Sequence, residues 1–169
     1  MKNIRNILLA LVFLAALPGS NTQAQTIKLG GGLIIGTDLP PVGLQVKGVY
    51  DMGFILDNLY ASANASFFIP ASRNDFDYGR WSIDVDGHYV FYKAAGFNFY
   101  ALSGLNITHY KKDPNFTYLS SDIGTSPGVN IGAGVLYDFS SSMSAYSEAK
   151  YIINVYDQSA ITLGVLFNL

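Results

Sequence analysis

From Ile27 to the C-terminus, apolar residues alternate with small or polar ones, a period of two that predicts half-buried β-strands. The last segment is the clearest. Ile161, Leu163, Val165, Phe167 and Leu169 share one face, and Ala160, Thr162, Gly164, Leu166 and Asn168 share the other. Upstream, Val129, Ile131, Ala133, Val135 and Tyr137 alternate with Asn130, Gly132, Gly134, Leu136 and Asp138. Trp81, Ile83, Val85, Tyr89 and Phe91 oppose Ser82, Asp84, Asp86, His88 and Tyr92. Segments starting near Ile27, Leu44, Leu59, Phe97 and Ala145 behave alike, giving eight strands. Each has about the ~9–11 residues a tilted strand needs to cross a bilayer.

The connections fall into two kinds. Those near 53–58, 93–96 and 138–142 are short or compact, whereas 70–80 and 111–127 are long and polar. The links at 37–42, with Pro40-Pro41, and at 155–159 are brief. Tight turns at one end and longer loops at the other predict an up-and-down antiparallel barrel.

The two faces decide what surrounds it. The mixed face carries Lys28, Lys47 and Lys150 against Asp84, Asp86 and Glu148, while the other face is almost wholly aliphatic and aromatic. An apolar lumen would be overfilled by Trp81, Phe91, Phe97, Phe99 and Phe167, and its exterior of Gly, Ser and Asn would be poorly charged. The reverse arrangement gives lipid the apolar face and lets the six charges pair inside, with His88 among them. Aromatic residues then form two belts: Tyr50, Phe91, Phe97, Phe99, Tyr137, Phe139 and Phe167 beside the tight turns, and Phe67, Trp81 and Tyr151 at the other end. The expected fold class is therefore all-β, an eight-stranded antiparallel up-and-down transmembrane β-barrel.

Composition agrees. Only 13% of the 169 residues are charged, and 50% are hydrophobic. The formal net charge of −2 offers nothing to nucleic acid. The absence of cysteine excludes disulfides, Cys-ligated metals and thiol catalysis. Ahead of the strands, Lys2 and Arg5 precede an apolar run from Ile7 to Leu17, then Pro18-Gly19 and a polar stretch with Thr22 and Ala24. This is the layout of a secretory signal, 1–24, with cleavage expected before Gln25 and a barrel domain over 25–169. Losing Lys2 and Arg5 leaves eight basic residues against twelve acids, a net charge of −4.

The run from Val129 to Asp138, containing Gly132-Ala133-Gly134 and Tyr137-Asp138, followed by Ser147-Glu148-Ala149-Lys150-Tyr151, resembles the small outer-membrane β-barrels related in architecture to OmpA and OmpX. Thr162, Gly164, Phe167 and Leu169 resemble that family's C-terminal assembly signal, with Leu169 where an aromatic residue is commonest. The resemblance spans the mature chain. It implies the outer membrane of a Gram-negative bacterium, with membrane lipid, lipopolysaccharide, periplasmic chaperones and the barrel-assembly machinery as partners.

Catalytic chemistry has little to build on. His88 faces Asp84 and Asp86, which fits an interior polar network better than a relay. His109 is followed by Tyr110 and Lys111, not by the Ser of a His-x-Ser pair. Asp84-x-Asp86 lacks a cation-binding loop, and Asn74, Asp75 and Asp77 read as a solvated loop. Gly30-Gly31-Gly32 lies within a strand and suits close backbone packing. No cofactor or metal is expected. The reading is a non-enzymatic barrel with a structural or adhesin-like role through loops 70–80 and 111–127, contacting a surface protein or glycan. Candidate contacts are Arg73, Asp75, Tyr78, Arg80, Lys111, Lys112, Phe116 and Tyr118. A small-solute pore and a lipid-modifying enzyme are the alternatives.

Overall fold

The computed structural model describes residues 27–114, 120–155 and 157–169. The expected signal peptide and the loop residues Phe116 and Tyr118 lie outside them. Nine strands follow in order: β1 (Ile27–Gly36), β2 (Val42–Asp51), β3 (Leu59–Phe68), β4 (Ala71–Arg73), β5 (Phe76–Ala94), β6 (Phe97–Pro114), β7 (Asp122–Asp138), β8 (Met143–Ile153) and β9 (Gln158–Asn168). Apart from the three-residue β4, which folds back on the start of β5, each pairs antiparallel with two neighbours. The β1–β9 and β3–β5 pairings close the cylinder. The fold is an eight-stranded antiparallel barrel, as the alternation requires.

Strand lengths are unequal. β1, β2 and β3 have 10 residues each, while β5, β6 and β7 have 19, 18 and 17. The expected loops 70–80 and 111–127 are accordingly shorter than the sequence suggested. Their flanks continue the sheet, because β5, β6 and β7 go on pairing with one another as far as Phe76–Pro114 and Lys112–Asp122. Asn74 and Asp75, both at positive φ, make the tight reversal between β4 and β5. Asn and Asp are the side chains that best tolerate that region.

The outward face is apolar around the whole wall. Leu33, Leu44, Val46, Ile83, Val85, Leu105, Ile131, Ile161 and Leu163 are all exposed. The aromatic residues expected at the two ends project outward there, Phe91, Phe97, Tyr137 and Phe167 at the turn end and Phe67, Trp81 and Tyr151 at the loop end. One alternation fails locally. A bulge between Val90 and Tyr92 shifts the β5–β6 register, so Phe91 and Tyr92 are both exposed, although parity had placed Tyr92 inside. A bulge adds one residue to one strand and so reverses the parity beyond it. The glycines of β1 allow strand contact: a Cβ on Gly32 would sit 2.2 Å from the Leu163 carbonyl oxygen of β9.

Candidate functional site

The lumen is filled by a polar layer that the inward positions of six strands build together. Lys47 from β2 pairs with Glu148 from β8, and the Lys150 ammonium lies 2.8 Å from Asp84 of β5. All four side chains are essentially inaccessible to solvent. Among the described residues no lysine pairs with Asp86. Asn130 Nδ2 donates to it at 2.7 Å and Asn64 Nδ2 at 3.1 Å. Asn130 also reaches Asp84 at 3.0 Å, and Asn106 Nδ2 reaches the same oxygen at 2.6 Å. Buried charges are costly unless paired or hydrogen-bonded, and every one of these carboxylates has such partners.

The sequence-predicted charges thus meet, though not as three internal pairs. Lys28 leaves the central layer and binds Asp138 at 2.9 Å near the turn end, beside Ser144 and Asn98. Asp138 had the inward parity of β7 and was overlooked because it stands at a turn. Tyr100 was overlooked as well. Its hydroxyl donates to Glu148 at 2.7 Å, and the ring passes over Gly134, where a Cβ would come within 2.5 Å of it. No feature of a single strand reveals that contact, since it depends on the β6–β7 register.

His88 stacks on Tyr100 with ring centroids 4.7 Å apart, and its Nε2 lies 2.9 Å from Ser62 Oγ. Glu148 Oε1 is 3.8 Å from that same nitrogen. A Ser–His–acid relay needs its acid on the opposite ring nitrogen, so the three residues do not form one. Among the described residues no group of three or more His, Cys, Asp or Glu side chains could hold a metal ion.

The charged layer divides two cavities. One of about 250 Å³ at the turn end is lined by Lys28, His88, Lys93, Asn98, Tyr100 and Asp138, among others. The other, about 220 Å³ at the loop end, is lined by Tyr78, Arg80, Tyr110, Lys112, Asp122 and Gln158, among others. Arg80 belongs to this inner wall rather than to a loop, which corrects the reading that made it a surface contact. It occupies an inward position of β5 and is 6% exposed. Its guanidinium donates to Gln158 Oε1 and, at 3.1 Å, to the Pro40 carbonyl, and lies 3.7 Å over the Phe68 ring.

Beyond the rim, β5, β6 and β7 continue as a small sheet. β3 joins β5 only from the Phe67–Trp81 pair, and β8 joins β7 only from the Ile153–Val129 pair. Tyr78 and Lys112 stand on strands of this projection, with the Lys112 ammonium 4.3 Å from the Phe76 ring centroid. Lys111, on the opposite parity, pairs with Asp113. Hydrogen bonds from Lys111 and then Ser121 hold the Asp113 carboxyl below the usual carboxylate range. Arg73 and Asp75 are exposed at the β4–β5 reversal. Thr162 lies inside on β9, while Phe167 and Leu169 are exposed at its end.

Several solved structures share this arrangement. The N-terminal β-barrel domain of Pseudomonas aeruginosa OprF is similar with TM-score 0.65 at 17% identity, covering 85% of this chain and 97% of that one. This is the fold of the small outer-membrane barrels. Ail, the attachment invasion locus protein of Yersinia pestis, is similar to this barrel with TM-score 0.60 at 13% identity, covering 86% and 97% of the two chains. A major outer membrane protein from Thermus thermophilus gives TM-score 0.68 at 9% identity, covering 87% of the present barrel and 100% of that chain. No family model matches the sequence, and no curated protein matches it.

Proposed function

We propose that the chain is an integral outer-membrane barrel, non-enzymatic, which serves as a structural element and contacts partners at the cell surface through its projecting β5–β6–β7 sheet. The observation that carries this reading is the unequal wall. Three strands extend past the others while the lumen beneath them is packed with paired charges. Polar side chains are stacked where a solute would have to pass, which is how eight-stranded barrels are ordinarily filled. Chemistry is instead presented outside, where the edge of β7 at 122–128 that faces away from β6 pairs with no strand among the described residues. An unpaired edge offers backbone donors and acceptors to an extended segment of another protein. Similarity to a protein named for attachment and invasion supports the same direction.

Two measurements test it. Replacing 70–79 and 111–123 by short turns, which spares Arg80 and the interior positions below it, is expected to abolish adhesion of cells displaying the barrel to host surfaces, with outer-membrane levels retained. Unchanged adhesion would remove the surface-contact role. In planar bilayers the protein is expected to be electrically silent. Stable open steps would favour a solute pore, for which the two cavities flanking the charged layer would be the vestibules.

A further inference from the structure

The β2–β3 connection, residues 52–58, is made of Met52-Gly53-Phe54-Ile55-Leu56-Asp57-Asn58, and its three central side chains are unusually bare. Phe54, Ile55 and Leu56 are 65%, 62% and 53% exposed. Turns ordinarily take Gly, Pro, Asn, Asp and Ser for their backbone geometry. The other connections at this end follow that habit more closely, with Ala95-Gly96 between β5 and β6 and a single exposed Phe139 ahead of Ser140-Ser141-Ser142 between β7 and β8. None of these three consecutive large apolar residues belongs to a buried apolar cluster among the described residues.

The turn satisfies part of its own backbone. Met52 N–H donates to the Leu59 carbonyl at 2.9 Å, and Ile55 and Leu56 N–H donate to the Met52 carbonyl at 2.8 and 3.3 Å. Leu59 N–H donates to the Leu56 carbonyl at 3.1 Å, and Gly53 N–H to Asp51 Oδ1 at 2.8 Å. These five paired amides can leave water without the penalty of orphaned groups.

Position along the wall names the occupant. The turn-end aromatic belt is dense on β5, β6 and β7, through Phe91, Tyr92, Phe97, Phe99 and Tyr137. On β3 the outward positions above the turn are Leu59, Ala61, Ala63 and Ala65, mostly methyl groups. The apolar triplet stands at the end of that thin stretch and continues the band around the barrel.

We infer that Phe54, Ile55 and Leu56 form a wedge buried in the lipid of the near leaflet, completing the interfacial belt beside β3, whose outward positions at this end, Leu59, Ala61 and Ala63, carry no aromatic ring. The partner is a lipid surface, taken by apolar insertion. Asp51 and Asp57 flank the wedge, so attraction to anionic headgroups does not drive it, and zwitterionic lipid suffices. The inference rests on the membrane reading above and goes beyond it by assigning a turn to the bilayer.

The single tryptophan of the chain, Trp81, makes the test clean. It projects from the opposite belt and reports on the barrel wall itself. The full chain is reconstituted in vesicles of phosphatidylcholine, with or without bromine on the acyl chains, and folding is verified by a heat-modifiable gel shift. The Trp81→Phe/Phe54→Trp variant then reports on the turn, and Trp81→Phe/Ile55→Trp replaces it should the first variant fail to fold. Quenching of the native protein and of the turn reporter by brominated lipid is the expected result. A native protein that is quenched beside a reporter that is not would overturn the wedge and leave the membrane barrel standing. That result would equally follow if the triplet served a periplasmic protein or a second copy. A native Trp81 blind to brominated lipid would overturn both.

Discussion

Lys150 Nζ stands 2.8 Å from Asp84 Oδ2, across a lumen whose walls bring together strands that are not neighbours in the sheet. Lys47 and Glu148 make a second tie of the same kind between β2 and β8. Such cross-barrel pairs act as struts, and breaking one leaves its partner charged and dry. Lys150→Met is therefore expected to lower unfolding free energy by about 3–5 kcal/mol. Adding Asp84→Asn should recover most of the loss, because the remaining charge is removed and the Asn106 and Asn130 amides keep an acceptor. Urea unfolding of the refolded barrel in detergent, followed by gel shift, measures both.

Tyr100 and Gly134 depend on each other. The ring lies where a Cβ at position 134 would be, and from there its hydroxyl donates to Glu148 at 2.7 Å. Gly134→Ala should destabilise the barrel by about 1–3 kcal/mol, as overpacking of a filled interior does. Ring-current shifts of the His88 resonances, whose imidazole stacks on Tyr100, should change in the same variant. Unaltered shifts would mean that the ring had not moved.

Arg80 and Arg73 were alike in sequence, both polar residues of one expected loop. Their positions now separate them. Arg80→Ala removes a stacked, doubly hydrogen-bonded and buried guanidinium and is expected to cost about 1–3 kcal/mol. Arg73→Ala at the exposed reversal should stay within about 0.5 kcal/mol, and only it should affect surface binding. Paired unfolding and cell-adhesion assays decide this.

Leu169 follows β9 in an exposed position, with its N–H donating to the Ile27 carbonyl at 2.9 Å. Replacing it with Phe supplies the aromatic end commonest in the assembly signal that Thr162, Gly164, Phe167 and Leu169 resemble. Leu169→Phe is expected to speed barrel assembly in cells while leaving unfolding free energy within about 0.5 kcal/mol. Pulse-chase measurement of the folded fraction reads the rate.

Alternation made most of the wall legible. The outward set from Leu33 to Leu163 follows from counting twos, because a strand's side chains have no third direction to take. The lumen's membership was legible in the same way, including Lys47, Asp84, Asp86, His88, Glu148 and Lys150. Their partners were not. Asp84 meets Lys150 and two asparagines from β6 and β7, a set fixed by how far strands stagger around a closed cylinder. The bulge at Phe91 was invisible too, since an extra residue leaves no mark in an apolar Tyr-Val-Phe-Tyr run.

Strand ends were the weakest part of the reading. Polar composition at 70–80 and 111–127 suggested loops, yet a strand rising into water has no apolar face to keep, so composition stops reporting on it. The sequence by itself determined an all-β chain with one apolar face and one mixed face, because period two admits no other geometry. Only tertiary structure decided which charges pair, that Arg80 points inward and that three strands outgrow the rest. Those outcomes depend on register and closure, which relate residues of different strands and are written in no single one of them.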